Sequence, residues 1–256
     1  MVNVSAAAST HPGLRRDGNE DAYCLRPDIG LYVVADGMGG HSAGEVASKI
    51  ATDVIEEAVL STVGVDASST WPMPYRLDLN LDGNRLNMAV VLANRRVGTA
   101  IAGNSAYRGM ATTAAALLVS GESAVIAHVG DSRAYRLRGG VLEPLTSDHS
   151  WVGEQVRAGV MTAADARRHP WRNVVTRAIT GGDDPEVDVA AITLEAGDRL
   201  LLCSDGLSSV ASHEDIERVM AQPETPEAIC TALIALANEG GGPDNITVIV
   251  LNVDVA

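Results

Sequence analysis

The chain has 256 residues, enough for one large domain or two small ones, and 46% of them are hydrophobic, ample for a sizeable core. A formal net charge of −14 argues against binding nucleic acid or an anionic membrane through bulk electrostatics, and 3% aromatic content with no Phe leaves little for base stacking. An anionic substrate would need a local cationic centre.

The first residues lack the basic flank and apolar stretch of a secretory signal, and no later apolar run nears the roughly 18 residues of a membrane span. A cytoplasmic location is therefore expected. Cys24, Cys203 and Cys230 are odd in number and scattered, which fits reduced, buried thiols better than a disulfide framework. None is followed by the glycine-rich, arginine-terminated loop of a thiol phosphatase, so covalent cysteine chemistry is not expected.

In chain order, residues 1–13 read as a frayed terminus or a first edge strand. Arg15-Arg16-Asp17-Gly18-Asn19-Glu20-Asp21 is a dense polar knot, which pattern alone assigns to a solvated hairpin turn. Leu31 to Ala35 is an unbroken apolar run that stops at Asp36, after which Gly37, Gly39 and Gly40 allow close backbone approach to whatever the carboxylate holds. Ser42 and Glu45 form a capping box for a helix whose apolar face, Val46, Ile50, Val54 and Ala58, persists to about Leu60. Ser61 to Asn80 has no clean period. Asp82-Gly83 then turns into a second helix carrying Leu86, Ala89, Ala93, Val97 and Ile101 on one side.

Met110–Ser120 and Ala124–Val129 are apolar segments of strand length, the second leading into Gly130-Asp131. His128, mid-strand in apolar company, reads as a satisfied core histidine. Ala134–Leu137 and Gly139-Gly140 indicate a further strand closed by a hairpin turn. Ser150–Arg157 and Thr162–His169 read as two short helices in a stretch that holds Arg157, Arg167, Arg168, Arg172 and Arg177. By itself this pattern fits solvated surface helices somewhat better than a cationic lid. Arg199–Cys203 repeats the opening device, an apolar strand ending in Asp205-Gly206. Helices near Ser212–Ala221 and Thr225–Asn238 follow, and Asp244-Asn245 enters a last strand, Ile246–Leu251.

Three apolar strands thus exit into acid at Asp36, Asp131 and Asp205, and a fourth is entered from acid at Asp244. If the last strand runs antiparallel to the one ending at Asp205, all four carboxylates reach one edge. Clustered, partly buried acids repel, and an all-oxygen cluster beside glycines suits hard dications, Mg2+ or Mn2+, whereas zinc's histidine and thiolate partners are missing there. A carboxylate shared by two ions makes a two-metal centre, whose activated water and positive charge suit phosphate-ester hydrolysis.

Seven motifs share this order with a known family: Arg16-x-x-Asn19-Glu20-Asp21, Val34-Ala35-Asp36-Gly37-Met38-Gly39-Gly40-His41, Ala111-Thr112-Thr113, Val129-Gly130-Asp131-Ser132-Arg133, Asp148-His149-Ser150, Ser204-Asp205-Gly206-Leu207 and Asp244-Asn245-Ile246-Thr247. The chain resembles the metal-dependent serine/threonine protein phosphatases, the PPM or type 2C family, and its bacterial members most closely. The resemblance implies an α+β fold, a four-layer αββα sandwich in which two mostly antiparallel sheets lie between helix pairs. It also implies one domain over residues 1–256, with a mobile flap at about 146–180. Asp36 would bridge two Mn2+ or Mg2+ ions, with the Gly37 carbonyl completing one of them. Asp205 and Asp244 would hold the second ion, with Glu20 and Asp21 close by, and Asp131 with Asp205 a third. Arg16 would grip the substrate phosphate, its planar fork matching two oxygens.

Met38 stands where many eukaryotic members carry a proton-donating histidine, and His41 is a substitute in reach of neutral titration, as is a metal-bound water. Ala111 replaces a usual glycine, and Ile179-Thr180-Gly181 a more frequent Leu-Gly pairing. The implied partners are phosphorylated proteins, the substrates of a cognate Ser/Thr kinase, with no nucleic acid, no membrane and no need for more than a monomer. The alternatives are a catalytically silent sensor of the same fold, and a metal-dependent nuclease or nucleotide hydrolase, which the acidic balance disfavours.

Overall fold

The computed structural model describes residues 2–39, 43–65, 71 and 73–255. Gly40, His41 and Ser42 lie outside them, so the expected Ser42 cap and the position of His41 stay outside the description.

The first sheet contains β1 (Val2–His11), β7 (Arg133–Arg138), β8 (Val141–Pro144), β10 (Arg199–Cys203) and β11 (Ile246–Val255), in the order β1-β11-β10-β7-β8. The second contains β2 (Asp21–Arg26), β3 (Leu31–Met38), β5 (Ala114–Ser120), β6 (Ser123–Val129) and β9 (Asp188–Thr193), in the order β2-β3-β5-β6-β9, with the short β4 (Ala111–Thr112) pairing β3. Every pairing is antiparallel.

The strands read as continuous apolar runs because both of their faces are covered. On β3, Leu31, Val33 and Ala35 pack with α1 (Ala43–Ser61) and α2 (Leu81–Gly103), whereas Tyr32 and Val34 enter the layer between the sheets. On β11, Val248 and Val250 face α6 (His213–Met220) and α7 (Pro226–Glu239), whereas Ile249 and Leu251 enter that same central layer. This is the period of two expected of a strand, and it yields the expected helix, sheet, sheet, helix layering.

Of the two readings of the amino terminus the edge strand holds, because β1 pairs with β11 from Val2↔Val255 to His11↔Ile246. Several elements depart from the sequence reading. Asp82 and Gly83 sit inside the first turn of α2, whose cap is Asn80, its side chain accepting from the Gly83 N–H at 2.7 Å. The segment Met110–Ser120 is broken at Thr113, which turns its amide to the Asp36 carbonyl at 2.9 Å. Asp205 opens a short helix, α5 (Asp205–Ser208), rather than a simple turn. β9 had no recognisable signal, since its residues Asp188–Thr193 stay mostly exposed and lack a strong apolar alternation.

Residues 146–180 hold α3 (Trp151–Arg157) and α4 (Ala163–Arg168), capped by Ser150 and Thr162, the residues at which the two expected helices begin. The stretch is tied to the body at both ends. Arg133 grips Asp148 through two hydrogen bonds of 2.7 and 2.6 Å, and Thr112 and Ile179 exchange backbone hydrogen bonds of 3.0 and 2.8 Å. The substitutions at Ala111 and Ile179 therefore leave local pairing intact.

Candidate metal centre

Strand register brings the acids together. Asp21 lies directly opposite Asp36 on β2 and β3, and Cys203 opposite Val248 on β10 and β11, which puts the exit toward Asp205 and the entry from Asp244 on one edge. Ala114 opposite Val129 and Arg133 opposite Cys203 bring Asp131 to the same edge.

Backbone crowding explains the glycines. A Cβ on Gly37 would stand 2.2 Å from the Gly44 carbonyl oxygen and 2.4 Å from that of Glu20, and one on Gly206 would stand 1.9 Å from the Asn245 oxygen. Only glycine lets β3 and α5 come this close to their neighbours.

The electrostatics record a strained cluster. Burial, followed by the charges of Asp21, Asp205, Asp131 and Asp244, pushes the Asp36 carboxyl well above the ordinary range. Asp21 rises to about 7, mainly through burial, with Asp205 and Asp244 adding to the rise against hydrogen bonds from Thr247 and Ser204. Asp131 also rises to about 7, through burial and then the Asp205 charge. For Asp205 the value is about 6, again chiefly from burial and then Asp244, with a hydrogen bond to Asp36 working the other way. Glu20 is raised too, by burial first.

A cation fits this set. Asp21 Oδ1 and Asp205 Oδ1 are buried and lack a hydrogen-bond partner among the described residues, a costly state for a carboxylate oxygen unless an ion takes the lone pair. All donors are oxygens, the choice of Mg2+ and Mn2+. The carboxylates do not form a tight cage for one bare ion. Among the described residues, the one trio of His, Cys, Asp or Glu with donor atoms within 4.8 Å of each other lies elsewhere, at His128, His149 and Asp188. Wide spacing suits ions that keep several waters, as Mg2+ does.

Arg16 reaches this centre, and its guanidinium donates to Asp244 Oδ2 at 2.7 Å while the side chain stays half exposed. The polar knot of residues 15–21 is thus more than a solvated turn, although Arg15, Arg16 and Asp17 do face solvent. Its anchor is Asn245, whose amide donates to the carbonyls of Pro12 and Gly18 at 2.9 and 2.8 Å and whose oxygen accepts from the Glu20 N–H at 2.8 Å.

Sequence reasoning gave no role to four supporting side chains. Besides Asn245 they are Ser204, which donates to Asp21 Oδ2 at 2.7 Å, Thr113, which accepts from the Asp36 N–H at 3.0 Å, and Ser132, 2.6 Å from Thr113 Oγ1. For Ser132, Ser204 and Asn245 the available signal was a polar residue adjoining an acid at a strand end, whereas Thr113 has no acid beside it in the sequence and carried no such signal.

A cleft of about 360 Å3 extends from Asp131 and Asp205 to Arg157, Arg167 and Arg172. These arginines line a space open to the centre, so the reading of α3 and α4 as mere solvated surface gives way to that of a cationic cover. Cys24, Cys203 and Cys230 are free and buried, with burial pushing each thiol up to about 12, so none offers a thiolate near neutrality. No helix of the described residues is long and apolar enough to cross a membrane.

Comparison with known proteins points to one family. The family model described as "Protein phosphatase 2C" matches residues 15–238. The serine/threonine protein phosphatase PstP of Mycobacterium tuberculosis is 37% identical over 247 residues, covering 96% of this chain, which spans only 44% of that relative's length. Protein phosphatase PhpP of Streptococcus pneumoniae is 35% identical over 251 residues, 96% of each chain. The crystal structure of the PstP catalytic domain in complex with two manganese ions superposes with a TM-score of 0.84 at 35% identity, covering 100% of both chains. With these acids gathered at one end of the two sheets and the family model spanning most of its length, the chain belongs to the protein phosphatase 2C family.

Proposed function

We propose that this chain is a Mn2+- or Mg2+-dependent phosphatase that hydrolyses phosphoserine and phosphothreonine in proteins, with residues 1–256 as one catalytic unit and 146–180 as its flap. The observation that carries this reading is the convergence of Asp21, Asp36, Asp131, Asp205 and Asp244 at one end of the two sheets, with two buried carboxylate oxygens unpartnered among the described residues. The two manganese ions of the PstP structure support the choice of ion.

Asp36 would be shared by two ions, with the Gly37 carbonyl completing one of them and Asp205 and Asp244 holding the second; Glu20 and Asp21 would lie close by, and Asp131 with Asp205 would hold a third. When bound, the ions supply an activated water and positive charge toward the phosphoryl group. Arg16 orients that group by pairing two of its oxygens. Ser204 and Thr113 hold Asp21 and the Asp36 backbone in place, so little reorganisation accompanies reaction. Met38 has no titratable proton to give, and we assign protonation of the leaving oxygen to His41. The partners are phosphoproteins made by a Ser/Thr kinase, and the chain acts as a monomer in the cytoplasm.

The test is hydrolysis of an aryl phosphate and a phosphothreonine peptide with Mn2+, then with chelator, by the native chain and by Asp36→Asn. The expected result is Mn2+-dependent turnover of both substrates. Asp36→Asn should lower it by at least about 100-fold, beyond the roughly 10- to 100-fold typical of losing a supporting partner, while the metal-free variant melts no lower than native. Absence of turnover with any metal would favour the silent sensor, and turnover indifferent to chelator would exclude this mechanism.

A further inference from the structure

Beside the carboxylate centre lies a cluster of different chemistry. His128 and Asp188 are cross-strand partners on β6 and β9, and His149 enters from the start of the flap segment. The His128 and His149 rings face each other with centroids 4.6 Å apart, and His149 Nε2 stands 3.0 Å from Asp188 Oδ2. One donor atom from each residue falls within 4.8 Å of the other two.

His128 is buried as its apolar surroundings predicted, at 1% exposure, but it is not satisfied, because neither ring nitrogen has a hydrogen-bond partner of ordinary geometry among the described residues. A buried imidazole with two idle nitrogens loses its hydration without compensation. Burial and the neighbouring His149 hold its pKa down to about 4, so at neutral pH it keeps a lone pair to offer. Asp188 is half exposed and, with His128, lines a cavity of about 400 Å3 that Thr146, Ser147 and Glu186 also border. An ion with several waters has room to enter.

We propose that His128, His149 and Asp188 form a binding site for a borderline transition-metal dication such as Zn2+, separate from the all-oxygen centre. Two imidazoles and a carboxylate, with room for water in a fourth position, form a donor set suited to zinc and poorly suited to Mg2+.

The surrounding hydrogen bonds link this site to the carboxylate centre. The Gly130 N–H donates to His149 Nδ1 at 3.1 Å, so the neutral ring carries its single proton on Nε2 and gives it to Asp188. Coordination at Nε2 moves that proton to Nδ1, and the Gly130 amide loses its acceptor. Arg177, 3.2 Å from both Asp188 and Glu186, transfers to Glu186 alone, a change between exposed charges that costs little. Gly130 precedes Asp131, so an ion at the histidines disturbs the loop that carries a carboxylate of the catalytic centre. The site is therefore inhibitory.

The inference does not depend on the phosphatase reading, because binding is measured without turnover. Protein saturated with Mn2+ is titrated with Zn2+ in a calorimeter, and the histidine ring nitrogens are followed by NMR. The expected result is one Zn2+ equivalent that shifts both the His128 and His149 rings and is weakened at least about 10-fold in His128→Asn. Asp188→Asn, altered at a half-exposed position where folding is little affected, should show the same weakening. Mn2+ stoichiometry is unchanged in both variants, and the Zn2+ concentration that halves native activity leaves His128→Asn active. Equal Zn2+ affinity in native protein and Asp188→Asn, or ring signals unmoved by Zn2+, would overturn the proposal.

Discussion

Arg16 donates to Asp244 Oδ2 across 2.7 Å, pairing a phosphate-type cation with a metal-type carboxylate. Each group thereby covers the charge that the other will present to a ligand. On the proposed reading, an ion on Asp244 would release the guanidinium for an incoming phosphate, linking metal loading and substrate capture through one exposed ion pair. Such a pair contributes roughly 0–1 kcal/mol to folding. Arg16→Ala should consequently leave the metal-free melting temperature almost unchanged and raise KM for a phosphopeptide about 10-fold, with a smaller fall in kcat. Mn2+ should bind at least as tightly as before. Steady-state kinetics and Mn2+ calorimetry check this, and unaltered KM would remove Arg16 from the site.

The acid cluster predicts an unusual pH response. Unfolded aspartates titrate near 4, whereas Asp205 in the fold titrates at about 6 and Asp21 and Asp131 at about 7. Across that window the folded, metal-free protein holds more protons than the unfolded chain. The cluster's contribution to stability is complete below about pH 4 and is lost as pH rises through 6 and 7. Ions bind the deprotonated form and cancel the loss. The rise in melting temperature on adding Mn2+ should therefore be larger at pH 7.5 than at pH 5.5. Calorimetric scans with and without Mn2+ at the two pH values measure it, and an equal rise at both would contradict the cluster's raised pKa values.

Asn245 is 6% exposed and makes three hydrogen bonds to the loop that presents Arg16 and Glu20. Asn245→Ala leaves one amide and two carbonyls without partners, a loss of about 2–4 kcal/mol. Mn2+ affinity should fall about 10-fold with it, since the loop no longer holds its register. Urea unfolding and Mn2+ titration test both parts. Full retention of Mn2+ affinity would show that the loop positions itself.

Assignment of the proton donor to His41 predicts a dependence on the leaving group. Nitrophenolate departs without protonation, whereas the alkoxide of threonine needs a proton in the transition state. His41→Ala should slow phosphothreonine peptide hydrolysis by about 100-fold or more, within the range of general acid catalysis, and barely change nitrophenyl phosphate turnover. Equal losses on the two substrates would dismiss the assignment.

Much of the fold was legible because local period carries it. The apolar runs at Leu31, Ala124, Arg199 and Ile246 show as unbroken strings of strand length, and the helical faces of α1, α2 and α7 as side chains about 3.6 residues apart, which any window of sequence displays. β9 was not legible, since its residues are mostly exposed and its strand state comes from pairing with β6. The break at Thr113 was equally hidden, because it exists to serve Asp36, 77 residues earlier.

The sequence by itself determined the inventory of the site, acids at the ends of apolar strands with glycines beside them, because a strand's end and its side-chain chemistry are local properties. Whether those acids meet depends on the antiparallel register of strands from distant parts of the chain, which only the tertiary structure decided. It also decided the partners: Arg16 goes to Asp244, Arg133 to Asp148, and His128 to none of the described groups. Burial and mutual distance set a group's charge and its unsatisfied bonds, and neither exists until the layers close.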